Sequence, residues 1–268
     1  MYEFHSNAEE YFNMQCENCE QYVIPFIEEI RPVKPDSRVL EIGCGSAGVL
    51  YAFLKRGCSG AGIDIDHGSI EFARKKLADF HDVKLLANDV YLVDTEKDLG
   101  GKFDLIILKD VIEHIHNQER LIVRMKELLN PGGMIFFGFP PWQMPFGGHQ
   151  QVLQSRVLSH APYIHLLPRA VYGGLIKMFG DKPDGFLEIQ DTGISIERFE
   201  RIVKAAGYSI ANRQFHLINP IYKYKFGLKM RKQSPVIAAI PYLRNFLTTS
   251  VFYLIKPDLE NAVAEIEF

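Results

Sequence analysis

The sequence contains no uninterrupted apolar run near the ~20 residues that a membrane-spanning helix needs. Its start, MYEFHSNAEEYF, lacks the basic-then-apolar order of a secretion signal. Cysteine is scarce, with four in 268 residues, too few for a disulfide framework, so a reducing cytoplasm is the expected compartment. Cys16 and Cys19 are close enough for half a zinc site, but no second close pair exists: Cys44 lies within a glycine-rich turn and Cys58 near a helix end. They read as ordinary helix cysteines. A strong charge of either sign is also missing. A net charge of -3 provides no overall field to gather nucleic acid or a membrane surface. Neither an internal repeat nor a low-complexity segment is visible.

Hydrophobic residues make up 47% of the chain, enough for one sizeable core and an insertion. Residues 7 to 30 carry apolar side chains at helical spacing (Tyr11, Met14, Val23, Phe26, Ile27, Ile30), and Pro32 and Pro35 close that segment. Strands and helices then alternate. RVLEIG, SGAGIDI, VKLLAND, FDLIILKD and GMIFFGFP read as strands; VLYAFLKRG, SIEFARKKLADF and RLIVRMKELL read as the helices among them. FDLIILKD is almost wholly apolar, as expected of a strand covered on both faces. Repeated βα units imply a parallel sheet with helices on both sides, and ligands at the carboxyl ends of its strands. Glu41, Asp64, Asp89 and Lys109 all fall at such ends.

After Pro140-Pro141 the pattern breaks into a segment rich in Met, aromatic, His and Pro residues. It resumes with a helix at SIERFERIVKAAGY, a strand at SIANRQFHLI and a last strand at TTSVFYLIKP. The expected organisation is a helical cover at 1-34, an α/β core at 35-141, a lid at 142-190 and a return to the core at 191-268. A variable stretch is expected near 220-245.

The chemistry-bearing feature is VLEIGCGSAG, residues 39 to 48, with Asp64 at the tip of the next strand. Gly43 and Gly45 let a backbone turn tightly against a ligand, Gly48 allows the next helix to pack close, and an acid about 20 residues on is placed to accept ribose hydroxyls. This spacing also fits a dinucleotide. Glu41 favours another reading. A carboxylate two residues before the first glycine repels a pyrophosphate but tolerates a sulfonium and an ammonium.

Five segments in order resemble the class I S-adenosylmethionine-dependent methyltransferases over about residues 35 to 141. They are VLEIGCG, GIDID, Asn88-Asp89-Val90, FDLIILKDVIEHI and LLNPGGMIFF. The resemblance implies a Rossmann-like, doubly wound, mostly parallel seven-stranded sheet whose last strand runs antiparallel. It implies S-adenosylmethionine as cofactor, with Asp64 on the ribose and Asp89 on the adenine amino group. The remaining cofactor contacts would fall at Glu41, Gly43, Cys44, Gly45, Gly48, Ile65, Val90 and Lys109. Asp66 stands where the family often has serine.

The acceptor side is less marked. On a helical turn, Asp110-x-x-Glu113-His114 would put three acid or imidazole groups on one side. Some members of the superfamily hold a divalent ion with such a set; the reading adopted is a pocket floor with no metal. His149, after two glycines, is the expected base for an acceptor hydroxyl or amine, with His114 second and His160 and His165 weaker candidates. Trp142, Phe146, Tyr163 and Tyr172 read as packing or pocket lining. The segment YKYKFGLKMRK, 222 to 232, interleaves aromatic and basic residues. It reads as a solvated basic face, with peripheral membrane or RNA contact as the sharper alternatives. Together these features point to a methyltransferase for a small-molecule hydroxyl or amine. The alternatives are an NAD-linked oxidoreductase, a non-catalytic cofactor-binding protein and an RNA methyltransferase.

Overall fold

The computed structural model describes residues 7-258; the first six residues of the start read above lie outside them. Eight strands form a single sheet in the order β3-β2-β1-β4-β5-β8-β6-β7. β1 (Arg38–Ile42), β2 (Ser59–Asp64), β3 (Val83–Ala87), β4 (Phe103–Lys109) and β5 (Leu129–Phe139) run parallel. β8 (Ser250–Pro257) runs antiparallel to both β5 and β6 (Tyr208–Ile218). The expected seven strands are therefore present, and a two-residue eighth, β7 (Arg231–Lys232), is added at the β6 edge.

Side-chain alternation divides the core into two layers. On β4, Ile106 and Leu108 join Leu40, Phe137 and Tyr253 on one face, while Leu105 and Ile107 join Val39, Phe136 and Phe252 on the other. α5 (Gln118–Leu128) and α9 (Ile196–Ala205) cover the first face through Leu121, Met125, Phe199 and Val203. α3 (Gly48–Leu54) and α4 (His67–Lys76) cover the second through Leu50, Phe53, Ile70 and Ala73. Both faces are sealed, which is why the β4 sequence shows no polar alternation.

The N-terminal segment also packs on the second face. It runs from α1 (Ala8–Asn18) through a π-turn (Cys19–Val23) into α2 (Ile24–Glu28). Phe12, Val23, Phe26 and Ile27 enter the same core as α3. Ile30, expected on that apolar face, lies beyond the last turn and is 45% exposed. Cys16 and Cys19 are buried free thiols in this layer.

Between β5 and α9 the chain forms three short helices, α6 (Arg156–Ser159), α7 (Arg169–Met178) and α8 (Asp184–Thr192). They share a small apolar cluster of Leu153, Leu158, Tyr172 and Ile176. The β6–β8 connection carries α10 (Tyr222–Phe226), α11 (Pro235–Ala238) and α12 (Leu243–Leu247). Among the described residues no helix is long and apolar enough to cross a membrane.

Candidate functional site

The glycine turn leaves β1 and is stitched to the next strand: the amides of Gly43 and Cys44 both donate to the Ile63 carbonyl, at 2.8 and 3.1 Å. Gly43 and Gly45 have φ of +68° and +49°, a region open to glycine at little cost. A Cβ on Gly45 would meet nothing within 4 Å, so the turn presents bare backbone to open space. Gly48 has a different role from the one expected. A Cβ there would lie 2.5 Å from the Phe12 carbonyl oxygen, so it admits α1, not its own helix, close to the turn.

α3 has no side-chain cap of its own, because Ala47 occupies the N-cap position with φ of +61°. Glu41 supplies the missing acceptor: its Oε2 receives the Leu50 amide at 2.8 Å. This carboxyl is buried, and burial drives its pKa up to about 8 against that hydrogen bond and the Lys109 charge. Glu41 thus serves the helix terminus from beneath the turn.

Asp64, at the carboxyl end of β2, accepts the Gly45 amide at 2.6 Å and the Asp66 amide at 2.9 Å. A carboxylate has about four acceptor sites, which leaves capacity for two hydroxyls. Asp66 caps α4, accepting from Gly68 and Ser69. At the end of β3, Asp89 accepts the Tyr91 amide at 2.9 Å. Ile65 projects from the β2 tip, 78% exposed, whereas the Val90 side chain joins the core. Cys44 is buried, with Sγ against Gly62, so only its backbone faces the turn. A bare glycine turn, an acid with spare acceptor capacity and an exposed apolar side chain beside it fit a nucleoside-bearing cofactor.

At the end of β4 the Lys109 ammonium, expected to face cofactor, pairs with the Asp110 carboxylate at 2.6 Å and is almost wholly buried. Burial opposes both charges, but each holds the other ionised, leaving the Lys109 pKa raised and that of Asp110 lowered. Asp110 has φ of +58°, so the predicted helical turn does not include it; only Ile112–His114 forms a 3-10 turn. The acid-x-x-Glu-His set is replaced by another. Glu113, His114 and His149 present ligand atoms that all lie within 4.8 Å of one another, an array with the donor chemistry for a divalent ion.

The His114 and His149 rings are edge to face with centroids 5.2 Å apart. Desolvation lowers the His114 pKa, partly offset by Asp110 and Glu188. Glu113 is 4% exposed, and neither carboxyl oxygen has a hydrogen-bond partner. Burial, then the neighbouring Asp110 charge, hold its pKa well above the carboxylate range. An uncompensated carboxyl in such a position stays protonated until a partner arrives.

These groups face a cavity of about 350 Å³. Its walls come from five parts of the chain: Tyr11 on α1; Asp110, Glu113 and His114 after β4; Pro140, Met144, Phe146, His149, Gln151 and Val152 after β5; Asn219, Ile221, Tyr222, Lys225 and Phe226 after β6; and Thr249. The glycine turn, Asp64 and Asp89 do not line it. Sequence reasoning missed Tyr11 as a wall residue, and also Asn219, Tyr222, Lys225 and Thr249.

Several expected site residues lie elsewhere. The two glycines before His149 are tightly enclosed: a Cβ at Gly147 would lie 2.1 Å from the Trp142 carbonyl oxygen, and one at Gly148 would lie 2.3 Å from the His165 Cβ. They permit close packing, and His149 is held at φ of +55°. Trp142 packs on Gly193. Tyr163 donates to the Phe246 carbonyl at 3.1 Å, and Tyr172 is buried. His160 lies 2.8 Å from the Arg156 carbonyl.

His165 is fully buried, its Nε2 2.8 Å from the Trp142 carbonyl oxygen. Burial lowers its pKa to about 4, and it does the same for His216 on β6. Both are neutral in the fold, whereas the unfolded chain takes up these protons near pH ~6.5. Stability is therefore fully present above pH ~6.5 and is lost as pH falls toward 4. Each histidine is expected to remove about 2 kcal/mol between pH 7 and 5. Urea unfolding of His165→Gln and His216→Gln at both pH values checks this: each variant should lose correspondingly less on acidification, and an unchanged acid loss in both would contradict it.

A family model described as a methyltransferase domain matches residues 14–212. Curated relatives include the ubiquinone biosynthesis O-methyltransferase of Chelativorans sp. (strain BNC1), 32% identical over 116 residues, with 41% of this chain and 44% of that protein covered. The protein of the same name from Bordetella avium (strain 197N) is 25% identical, with 60% and 69% covered. The chain spans about half the length of the curated relatives it matches, 44% and 54% for two of them. Among solved structures, magnesium protoporphyrin IX methyltransferase from Synechocystis PCC 6803, with bound S-adenosylhomocysteine, superposes with a TM-score of 0.54 at 14% identity, covering 94% of this chain and 86% of that one. Geranyl diphosphate methyltransferase in complex with S-adenosylmethionine gives 0.54 at 14% identity, covering 89% and 85%. At these identities the likeness concerns the fold.

Proposed function

We propose that this chain, which belongs to the methyltransferase-domain family, is an S-adenosylmethionine-dependent methyltransferase whose acceptor is a small molecule bearing a hydroxyl, held in the cavity beside His114 and His149. The observation that carries this reading is the facing pair of imidazoles on a cavity of about 350 Å³, a volume within the range of small-molecule sites. The relatives named O-methyltransferases support oxygen as the methylated atom.

S-adenosylmethionine supplies, when bound, a methyl carbon already activated by its sulfonium. The chain's own residues then have three tasks. Asp64 and Asp89 would hold the nucleoside, together with Ile65 and the Gly43 to Gly48 backbone. The apolar walls Met144, Phe146 and Ile221 exclude water and fix the acceptor. His149, with His114 next to it, takes the acceptor's proton as the oxygen becomes nucleophilic. Segment 142-190 serves as the acceptor wall and lid, and α1 contributes Tyr11 to the same cavity.

A second reading follows from the same cluster. A divalent ion on Glu113, His114 and His149 would acidify the hydroxyl and supply the partner that the Glu113 carboxyl lacks. Chelator sensitivity separates it from the metal-free reading.

Acceptor identity is tested by S-adenosylhomocysteine release across a panel of hydroxyl compounds, amines and RNA. Turnover is expected with hydroxyl compounds small enough for the cavity. Activity confined to amines or RNA would contradict the proposal.

A further inference from the structure

Lys225 lies in the middle of the stretch whose basic residues were expected to face solvent. α10 instead places it on the cavity wall, half-buried. No described carboxylate lies within ion-pairing distance of its ammonium, and the nearest acidic influence, Asp110, is already paired with Lys109 at 2.6 Å.

The two lysines of this region differ in their partners. Lys109 is paired with Asp110. Lys225 lines the cavity with Ile221, Tyr222 and Phe226 and has no carboxylate of its own among the described residues. Desolvation lowers its pKa, only partly offset by Asp110. Holding an ammonium in such surroundings costs free energy that an anionic partner returns.

We infer that the acceptor carries an anionic substituent, a carboxylate or similar oxyanion, which Lys225 receives while the hydroxyl is presented to His114 and His149. This inference rests on the hydroxyl-acceptor reading above. It narrows the substrate class to compact hydroxy acids with an apolar or aromatic body, the hydroxyl at one end and the anion at the other. Lys225 then determines specificity without touching the transferred methyl group.

The test uses three pairs of probes: 3,4-dihydroxybenzoate, 4-hydroxycinnamate and 6-hydroxyhexanoate, each beside its methyl ester. The wild type is expected to prefer the acids by at least about tenfold in kcat/KM. Lys225→Met should cut kcat/KM for the acids by about ten- to a hundredfold, chiefly through KM, and leave the esters within about twofold. Lys225→Arg should keep most of the preference, and S-adenosylhomocysteine affinity should be the same in all three proteins. Preference of the wild type for esters, or equal losses on acid and ester in Lys225→Met, would overturn the role of Lys225 and leave the hydroxyl-acceptor reading intact. Turnover of none of the six compounds by protein that binds S-adenosylhomocysteine would overturn both.

Discussion

Replacing His149 by alanine is expected to lower turnover of a hydroxyl acceptor by about 10²- to 10⁴-fold while leaving cofactor affinity unchanged. A neutral hydroxyl is a poor nucleophile until its proton begins to leave, so the group that receives that proton governs the rate. His149 is placed for this by structure on both sides. Gly147 and Gly148 pack against the Trp142 carbonyl and the His165 side chain, and the His114 ring stands 5.2 Å away. His114→Ala should reduce turnover less, because His149 remains on the wall. Near-normal turnover in His149→Ala would reassign this residue to lid structure, and a large loss confined to His114→Ala would move the role there. Wild-type activity abolished by a chelator and restored by a divalent ion would mark the metal-assisted reading instead.

The frame of this site was legible in the sequence where one local pattern fixes one local structure. The apolar runs of β1 and β4 specify covered strands, and the acids Asp64 and Asp89 follow directly at strand ends. The glycine turn was legible too, although its partner was not. That Gly48 faces Phe12 depends on a helix 36 residues earlier in the chain, and no spacing rule reports such a contact. Asp110 shows the opposite error. Its i, i+3, i+4 spacing to Glu113 and His114 suggested a shared helical face, but a left-handed backbone at Asp110 and its pairing with Lys109 remove it from the set.

The acceptor wall was largely hidden. Tyr11, Asn219, Lys225 and Thr249 come together only through tertiary packing. α10 is five residues long, too short to show a helical period. A basic run with aromatics reads as solvated surface by composition alone, and nothing in that composition indicates that one lysine is turned inward. That Lys225 lacks a carboxylate partner becomes visible only once Asp110 is seen paired with Lys109.

The whole arrangement depends on where the cofactor sits, and Asp64 is its most sensitive point. Its two oxygens already hold the Gly45 and Asp66 amides at 2.6 and 2.9 Å, so the carboxylate is fixed before any ligand arrives, and little ordering cost remains on binding. Asp64→Ala would leave the ribose hydroxyls without a charge-assisted acceptor and also release the Gly45 amide. Asp89→Ala should cost less, roughly 1 to 2 kcal/mol, because a single amino group is involved. Titration calorimetry of S-adenosylhomocysteine into wild-type and Asp64→Ala protein, with NAD as a control, is the most direct test. The expected result is binding to the wild type, a loss of about 2 to 3 kcal/mol in the folded variant, or roughly 30- to 160-fold in Kd, and no heat with NAD. Equal affinity of wild type and folded Asp64→Ala would contradict the placement of the cofactor and, with it, the orientation of the methyl group toward the His114 and His149 cavity.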